Sequence, residues 1–255
     1  LFQTFFGMEN MEEKYMFFTV LLHFGTLISV CMVYWRDIVD MIREFFLGIA
    51  ALAGRKDTGV APPPARRMVM LIIIATVPLF VMVFLQDAVN QLFSNSIMVS
   101  CALLATGFIL FFSDRMARGH KTAKNATVAD ALIVGCGQAL AVIPGLSRSG
   151  TTISVGMMRG FDRAFAVRFS FLMSLPAVLG ANVLEIKDAL ASNFPIEELP
   201  MYLVGVAVSA VVGYFAIRLV KSLSDKGKFG KFAYYCWAVG LGSLVAGIVK
   251  MMLLK

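Results

Sequence analysis

The fold is decided by residues 131–158, which read ALIVGCGQALAVIPGLSRSGTTISVGMM. The segment is apolar enough for a membrane, yet Pro144 and Gly145 interrupt it and Arg148 follows them. Proline and glycine in succession end a helix, so the pattern predicts two short helices joined by a turn. An arginine in hydrocarbon is costly unless it faces a partner or water, which makes this turn a candidate site.

The whole composition indicates an integral membrane protein. Of 255 residues, 59% are apolar and 15% charged, and the mean hydropathy is +0.80, whereas a soluble domain carries roughly 25% charged residues. Charges form short clusters between long uncharged runs. The net charge of +7 therefore fits basic loops beside anionic headgroups, and no nucleic-acid partner is predicted.

Six uncharged stretches are long enough to cross a bilayer as helices, because lipid-exposed backbone must satisfy its own hydrogen bonds. They are Met16–Trp35, Met68–Leu85, Ile97–Phe112, Phe169–Leu184, Met201–Ile217 and Phe232–Val249. The apolar–polar alternation of a membrane barrel is absent from the sequence. We therefore predict an all-α integral membrane fold with six transmembrane helices.

The charges of the loops predict the orientation. Basic residues occur in the first loop at Arg36, Arg43, Arg55, Lys56, Arg66 and Arg67, and again after the third and fifth spans. The segment 86–96 has none, and 185–200 is acidic. Basic loops face the cytoplasm, so the loops alternate inside and outside.

The alternation of the loops also limits how many times the chain can cross the membrane around residues 131–158. The chain is inside near Lys124 and outside near Glu197, so a single crossing, Phe169–Leu184, fits between them. Ala131–Met158 is therefore predicted to enter the membrane, turn at 144–150 and return as a re-entrant helical hairpin. Irregular backbone at that depth is tolerated only when it is buried in protein or lines a wet cavity.

The turn carries the groups that bind phosphate. Arg148 has a guanidinium group, which is always charged and can donate two parallel hydrogen bonds to a phosphate. The neighbouring residues supply hydroxyls at Ser147, Ser149, Thr151 and Thr152 and glycines at Gly145 and Gly150. A helix is predicted over Thr151–Met158 with Ser149 as its N-cap, and a helix start favours an anion. The alternative is a helix-packing corner, with Arg148 bonded to carbonyls or reaching an interface.

Other polar residues are weaker candidates. Gln138 is placed to hydrogen-bond across the hairpin, and His23 is either a proton donor or acceptor or, as favoured, a packing residue. Asp130 and Asp162 are predicted to cap helix starts. No Asp or Glu lies inside the six spans or the hairpin, so the sequence supplies a phosphate clamp without an evident base.

The stretch QALAVIPGLSRSGTTIS, residues 138–154, resembles the second signature of the undecaprenyl-pyrophosphate phosphatase family, the bacitracin-resistance membrane phosphatases. Residues 24–27 with 34–36, and 169–172 with Pro176, resemble that family's flanking spans. The resemblance implies an inverted repeat with two re-entrant hairpins. It also implies hydrolysis of the C55 isoprenyl pyrophosphate to the monophosphate, at a site open to the outer face of the bacterial plasma membrane.

The resemblance also implies roles for individual residues. We predict that Arg148 and Ser147 are catalytic, that Arg148, Ser149, Gly150, Thr151 and Thr152 bind the phosphate, and that Gln138 and His23 are auxiliary. A divalent cation, magnesium or calcium, is implied, but its ligands are not identifiable in this chain. A homodimer is left open.

One family feature is missing from this chain: the first signature, a glutamate-bearing helix followed by Pro-Val-Ser-Ser-Thr-Gly-His. Aligning 21–25 with 172–176 places the counterpart of residues 147–150 just before Leu1. We therefore expect a half-complete inverted repeat, with 1–128 the remainder of the first repeat and 129–255 the second. The nucleophile, acid and base are expected upstream of Leu1, and this chain alone is expected to be inactive.

The alternatives to a phosphatase are a transporter or flippase of a lipid phosphate or other anionic substrate and a non-catalytic scaffold.

Overall fold

The computed structural model describes residues 12–54, 62–85, 96–191 and 199–253. Within those ranges the chain forms nine α-helices and no strand, which confirms the all-α prediction. Their bounds are α1 Glu12–Val33, α2 Trp35–Gly54, α3 Pro64–Phe84, α4 Ser96–Met116, α5 Val128–Leu140, α6 Arg148–Met158, α7 Arg163–Ala191, α8 Leu199–Asp225 and α9 Phe232–Leu253. A short 3₁₀ turn, Phe229–Lys231, precedes α9.

Five segments in the described ranges are long and apolar enough to cross a membrane. They are Pro64–Met82, Ser96–Met116, Arg163–Gly180, Pro200–Asp225 and Phe229–Met252. Their outer surfaces are apolar, as at Phe84, which is 89% exposed. The first predicted span, Met16–Trp35, falls on α1, where Leu21–Val33 is a shorter apolar helix; the side chains before Leu21 lie outside those described.

The helix α2 corrects the prediction of a loop between the first two spans. Trp35–Gly54 is helical because its apolar and charged residues segregate onto different faces at helical spacing. Asp37 lies in the first turn, where a carboxylate complements the helix dipole. A search for uncharged spans alone misses such a helix, since its charges break every long apolar run.

The segment Ala131–Met158 folds as two short helices whose outer ends meet at the same end of the molecule, and its entry into the membrane stays a prediction. The backbone of Lys121, before α5, bonds to Gly160 and Asp162, after α6, at 2.9 Å in both cases. The helices have 13 and 11 residues, so each is less than about 20 Å long, short of the roughly 30 Å of a bilayer core. The turn between them therefore lies partway along the molecule.

Buried charges hold the two ends of this hairpin together. The Asp130 carboxylate is fully buried, and it accepts from Lys121 Nζ at 2.8 Å and from the Arg159 guanidinium at 2.9 Å. Asp130 also forms a capping box with Thr127, as its position predicted. Burial would raise the pKa of Asp130, but these hydrogen bonds outweigh it and lower the pKa to about 2. Asp162 caps α7 as predicted, accepting from the N–H of Ala164.

The long helices pack around the hairpin. Helix α1 lies between α7 and α8, α3 packs on α5, and α4 packs on both α6 and α9. The contact of α1 with α8 is close at Gly25, where an added Cβ would lie 2.6 Å from the Val206 carbonyl. Ser29 and Ser209 join these two helices through hydrogen bonds of 2.7 and 2.8 Å. Helices α1, α6, α7 and α8 thereby enclose one side of the turn.

Candidate functional site

The turn between α5 and α6 is shaped by Gly145. Its φ is +95°, a conformation that an L side chain adopts only with strain. An added Cβ would also lie 2.3 Å from the Val99 carbonyl of α4. The turn can therefore approach α4 only with glycine here, as the sequence pattern suggested.

A buried threonine of α4 fixes the turn. The Ser147 N–H donates to Thr106 Oγ1 at 3.2 Å. The single hydrogen of the Thr106 hydroxyl is shared between the Ala102 carbonyl of α4 at 3.1 Å and the Gly145 carbonyl at 3.3 Å. Thr106 is fully buried. One hydroxyl therefore accepts from the Ser147 N–H and also contacts the Gly145 carbonyl, two backbone groups that α5 and α6 leave unpaired.

Helix α6 begins one turn earlier than predicted. Its N-cap is Ser147, whose Oγ accepts from the Gly150 N–H at 3.1 Å; the assignment of Ser149 as the cap was wrong. The first intrahelical bond runs from the Thr151 N–H to the Ser147 carbonyl at 2.8 Å. The N–H groups of Arg148 and Ser149 precede that bond and have no acceptor in the described part of the chain. They are the donors that a helix start offers to an anion.

A cavity of about 370 Å³ opens beside this helix start. Its walls come from four helices: Thr26, Leu27 and Val30 of α1; Arg148, Ser149 and Thr152 of α6; Ser170, Phe171, Ser174 and Val178 of α7; and Gly213, Ala216, Ile217 and Val220 of α8. The wall carries the Arg148 guanidinium and the hydroxyls of Thr26, Ser149, Thr152, Ser170 and Ser174, and the rest of it is mainly apolar. The cavity can therefore hold a molecule with an anionic head and an apolar tail.

Arg148 differs from the arginines that stabilise the fold. Four of those pair with carboxylates: Arg66 with Glu44, Arg159 with Asp130, Arg163 with Asp114, and Arg168 with Asp37. The half-buried Arg148 guanidinium has no ion pair or hydrogen bond to any residue that the structure describes. A cation left unpaired at the wall of a cavity is positioned for an anionic ligand.

Comparison with known proteins agrees with this geometry. The family model described as bacitracin resistance protein BacA matches residues 1–242. The chain belongs to the BacA family. It is 40% identical over 230 residues to an undecaprenyl-diphosphatase of Alkaliphilus metalliredigens, covering 90% of this chain and 83% of the relative. It is 39% identical over 242 residues to one of Methanobrevibacter smithii, covering 94% and 87%. The resemblance seen in the signature thus extends over most of this BacA protein.

The structure brings three of the predicted residues to the cavity: Arg148, Ser149 and Thr152. Ser147 and Gly150 lie just outside its wall, joined to each other through the cap. The Thr151 hydroxyl is buried and has no partner among the described residues. The predicted residues therefore lie close together on the first turns of α6.

The two auxiliary candidates lie apart from the cavity wall. Gln138 is 1% exposed, and both polar atoms of its amide lack a protein partner within the described ranges, so the hydrogen bond predicted across the hairpin is not formed. His23 is exposed on α1 and does not line the cavity. Neither side chain touches the space beside Arg148.

The sequence did not single out Thr26, Thr106, Ser170 or Ser174. Three of these four line the cavity, and Thr106 holds the turn. Ser170 and Ser174 are one helical turn apart on α7, a spacing that places two hydroxyls on one face of an apolar span. Two hydroxyls at this spacing could have indicated a polar surface on α7 from the sequence alone.

The described cavity residues do not form a metal site. Magnesium and calcium prefer carboxylate oxygens, whereas the described wall carries hydroxyls and a guanidinium and no carboxylate. No group of three or more His, Cys, Asp or Glu side chains is found in the described ranges. The need of this BacA protein for a divalent cation stays a prediction from the family resemblance.

Proposed function

We propose that this protein is an undecaprenyl-pyrophosphate phosphatase, which hydrolyses the C55 isoprenyl pyrophosphate to the monophosphate and phosphate. The observation that carries the proposal is the unpaired Arg148 guanidinium at the start of α6, facing a cavity with an apolar wall. Membership of the BacA family supports it, as do relatives named undecaprenyl-diphosphatase.

In this proposal the start of α6 binds the pyrophosphate. Arg148 donates two parallel hydrogen bonds to phosphate oxygens, and the N–H groups of Arg148 and Ser149 and the Ser149 hydroxyl add further donors. Phosphoryl transfer spreads charge over the equatorial oxygens. Donors that are already fixed in place stabilise that charge without a reorganisation cost.

The apolar wall receives the lipid. The apolar residues of the wall include Leu27, Val30, Val178, Ile217 and Val220. A volume of about 370 Å³ accommodates the pyrophosphate and the first isoprenyl units and not a C55 chain, whose remainder extends between helices into the bilayer. Burial of the isoprenyl units stabilises the bound lipid by about 25 cal/mol per Å² of apolar surface removed from water.

The topology of the proposed enzyme follows from its loops. The chain crosses the plasma membrane of a bacterium six times as part of an inverted repeat, with the basic loops in the cytoplasm and the cavity open to the outer face. The alternating loop charges support this arrangement. Undecaprenyl monophosphate would then be released for another cycle of cell-wall synthesis.

Replacement of Arg148 tests the function. In the full-length protein, Arg148→Ala should lower kcat/KM for undecaprenyl pyrophosphate about a thousandfold, since a positioned donor to the developing charge is lost. The measurement is phosphate release by purified protein in detergent. Arg115→Ala is the matched control, because Arg115 stacks over the Phe111 ring outside the cavity. Near-normal turnover of Arg148→Ala would refute the assignment.

A second candidate function is transport of a lipid phosphate. It is favoured by one observation: the described cavity wall has no carboxylate or histidine that could activate water. Broken helices at the midplane also occur in transporters. Reconstituted protein that moves the lipid between leaflets without releasing phosphate would support this candidate over hydrolysis.

A further inference from the structure

Two buried hydroxyls connect the Arg148 turn to the neighbouring helix α7. Thr152 Oγ1 and Ser170 Oγ are 2.6 Å apart, the shortest distance between hydroxyls in the described part of the chain. Thr152 is 2% exposed and Ser170 is 3% exposed. Both residues also line the cavity, so their hydrogen bond lies in its wall.

Counting hydrogen atoms gives this bond a direction. The Thr152 hydroxyl donates its single hydrogen to the Arg148 carbonyl at 2.9 Å, with the Ser149 carbonyl at 3.3 Å as a weaker acceptor. A hydroxyl has only one hydrogen, so the short bond and the Arg148 carbonyl contact are satisfied together when Ser170 is the donor in the short bond. The hydrogen bonds therefore run from Ser170 to Thr152 and from Thr152 to the Arg148 carbonyl.

This order limits what Ser170 can offer a ligand. With Ser170 as the donor, its hydrogen is used in the bond to Thr152. Its oxygen then presents only lone pairs to the cavity, whereas phosphate oxygens need hydrogen-bond donors. The effect of Ser170 on an anion is instead transmitted through the backbone of Arg148. Thr106 of α4 contacts the backbone of Gly145 and Ser147 in the same turn. The backbone before Arg148 is therefore held by α4, and the first turn of α6 is held by α7.

We propose that Ser170 is a positioning residue for Arg148: it locks the first turn of α6 to α7 and thereby aims the guanidinium into the cavity. The inference rests on the proposed function and deepens it, since the ligand is the pyrophosphate group of that same site. Misplacement of a catalytic group by about 1 Å can cost about a hundredfold in rate. A single hydrogen bond in the wall can therefore have a large functional effect.

The experiment compares Ser170→Ala with Ser170→Thr in the full-length protein. The affinity for inorganic pyrophosphate is measured by calorimetry in detergent, alongside kcat and KM for the lipid. Ser170→Ala should weaken pyrophosphate binding and lower kcat/KM by about tenfold each, and Ser170→Thr, which keeps the hydroxyl, should stay within about twofold of wild type.

Ser113→Ala is the structural control. Ser113 of α4 and Ser154 of α6 form a hydrogen bond of 2.8 Å between two fully buried hydroxyls, away from the cavity. Its loss removes the same kind of interhelical bond from the same helix. We expect a lower midpoint of thermal unfolding with pyrophosphate affinity within about twofold of wild type.

The Thr152→Val background separates positioning from direct contact. If Ser170 acts through Thr152, adding Ser170→Ala to Thr152→Val should change pyrophosphate affinity by less than about twofold. A full tenfold effect in that background would show that Ser170 touches the ligand and would overturn the proposal. So would a Ser170→Ala protein with wild-type affinity. A wild-type protein that binds pyrophosphate without hydrolysing the lipid would refute the phosphatase and leave this proposal standing.

Discussion

At the turn, the Thr106 hydroxyl contacts two backbone groups, and its removal should be costly. Thr106→Val leaves the Ser147 N–H without its acceptor and removes the hydroxyl that contacts the Gly145 carbonyl. An unsatisfied buried group costs about 1–3 kcal/mol, so we expect a lower midpoint of thermal unfolding in detergent and reduced phosphate release. The matched control is Thr76→Val, whose hydroxyl bonds only to the Ile72 carbonyl of its own helix. Equal midpoints for the two variants would contradict the role of Thr106.

Single residues differ in how far the sequence revealed them. Arg148 could be predicted because one cation in an apolar segment is unusual whatever surrounds it. The N-cap was placed in the right turn and assigned to Ser149 instead of Ser147, since cap positions depend on where the helix starts. Thr106 and Ser170 could not be found, because their partners are 41 and 18 residues away in sequence and only the packing of helices brings them together.

Among the elements, the hairpin depends on the buried Asp130 at its base. Asp130→Asn removes the charge that faces Lys121 and Arg159, which should lower the free energy of unfolding by about 2 kcal/mol. This is less than for a wholly buried pair, because Lys121 and Arg159 are 35% and 40% exposed and solvent screens them. Asp37→Asn, in the more exposed pair with Arg168, should cost less than about 1 kcal/mol. Denaturation in mixed micelles measures the free energy of unfolding of both variants. Equal losses for Asp130→Asn and Asp37→Asn would contradict the special role of Asp130.

The pH dependence of this contribution has a definite sign. The pKa of Asp130 is lowered from its ordinary value to about 2, so the folded protein binds the proton less tightly than the unfolded chain. The stabilisation is therefore complete above the ordinary pKa of about 4 and is lost as the pH falls toward 2. Between about pH 5 and 8, wild type and Asp130→Asn should show the same slope of stability against pH.

At the same scale, long apolar elements were predictable and amphipathic ones were not. A helix that faces lipid on most sides is apolar all round, so a long uncharged run in the sequence is enough to locate it. The charges of helix α2 lie in its first half, Arg36 to Glu44, so no long uncharged run marks this helix and only its periodic pattern distinguishes it from a loop. The hairpin was predictable from proline, glycine and the parity of loop charges together.

For the whole molecule, the arrangement of helices explains why the site is an enclosed cavity. Neighbours in sequence do not suffice to form it: α6, α7 and α8 are consecutive, but the wall is completed by α1. Helix α1 packs closely on α8, although more than 160 residues separate their ends. Helix α6 alone would expose Arg148 to lipid, where a guanidinium is costly. Enclosure by α1, α7 and α8 leaves a protected space for an anionic group, which the list of spans could not predict.

The position of the turn relative to the membrane can be tested by labelling single cysteines in a variant that lacks the four native ones. Ser149→Cys keeps Arg148 and lies in the cavity wall, so bulky, membrane-impermeant maleimides should not reach it from either side. Lys124→Cys, in the exposed basic segment before α5, should react only after the cytoplasmic side is opened. Asn90→Cys, outside the described residues, should react in intact cells. If the bulky reagent labelled Ser149→Cys as readily as Lys124→Cys, the turn would be a surface loop, and Arg148 would have solvent rather than a lipid pyrophosphate as its partner.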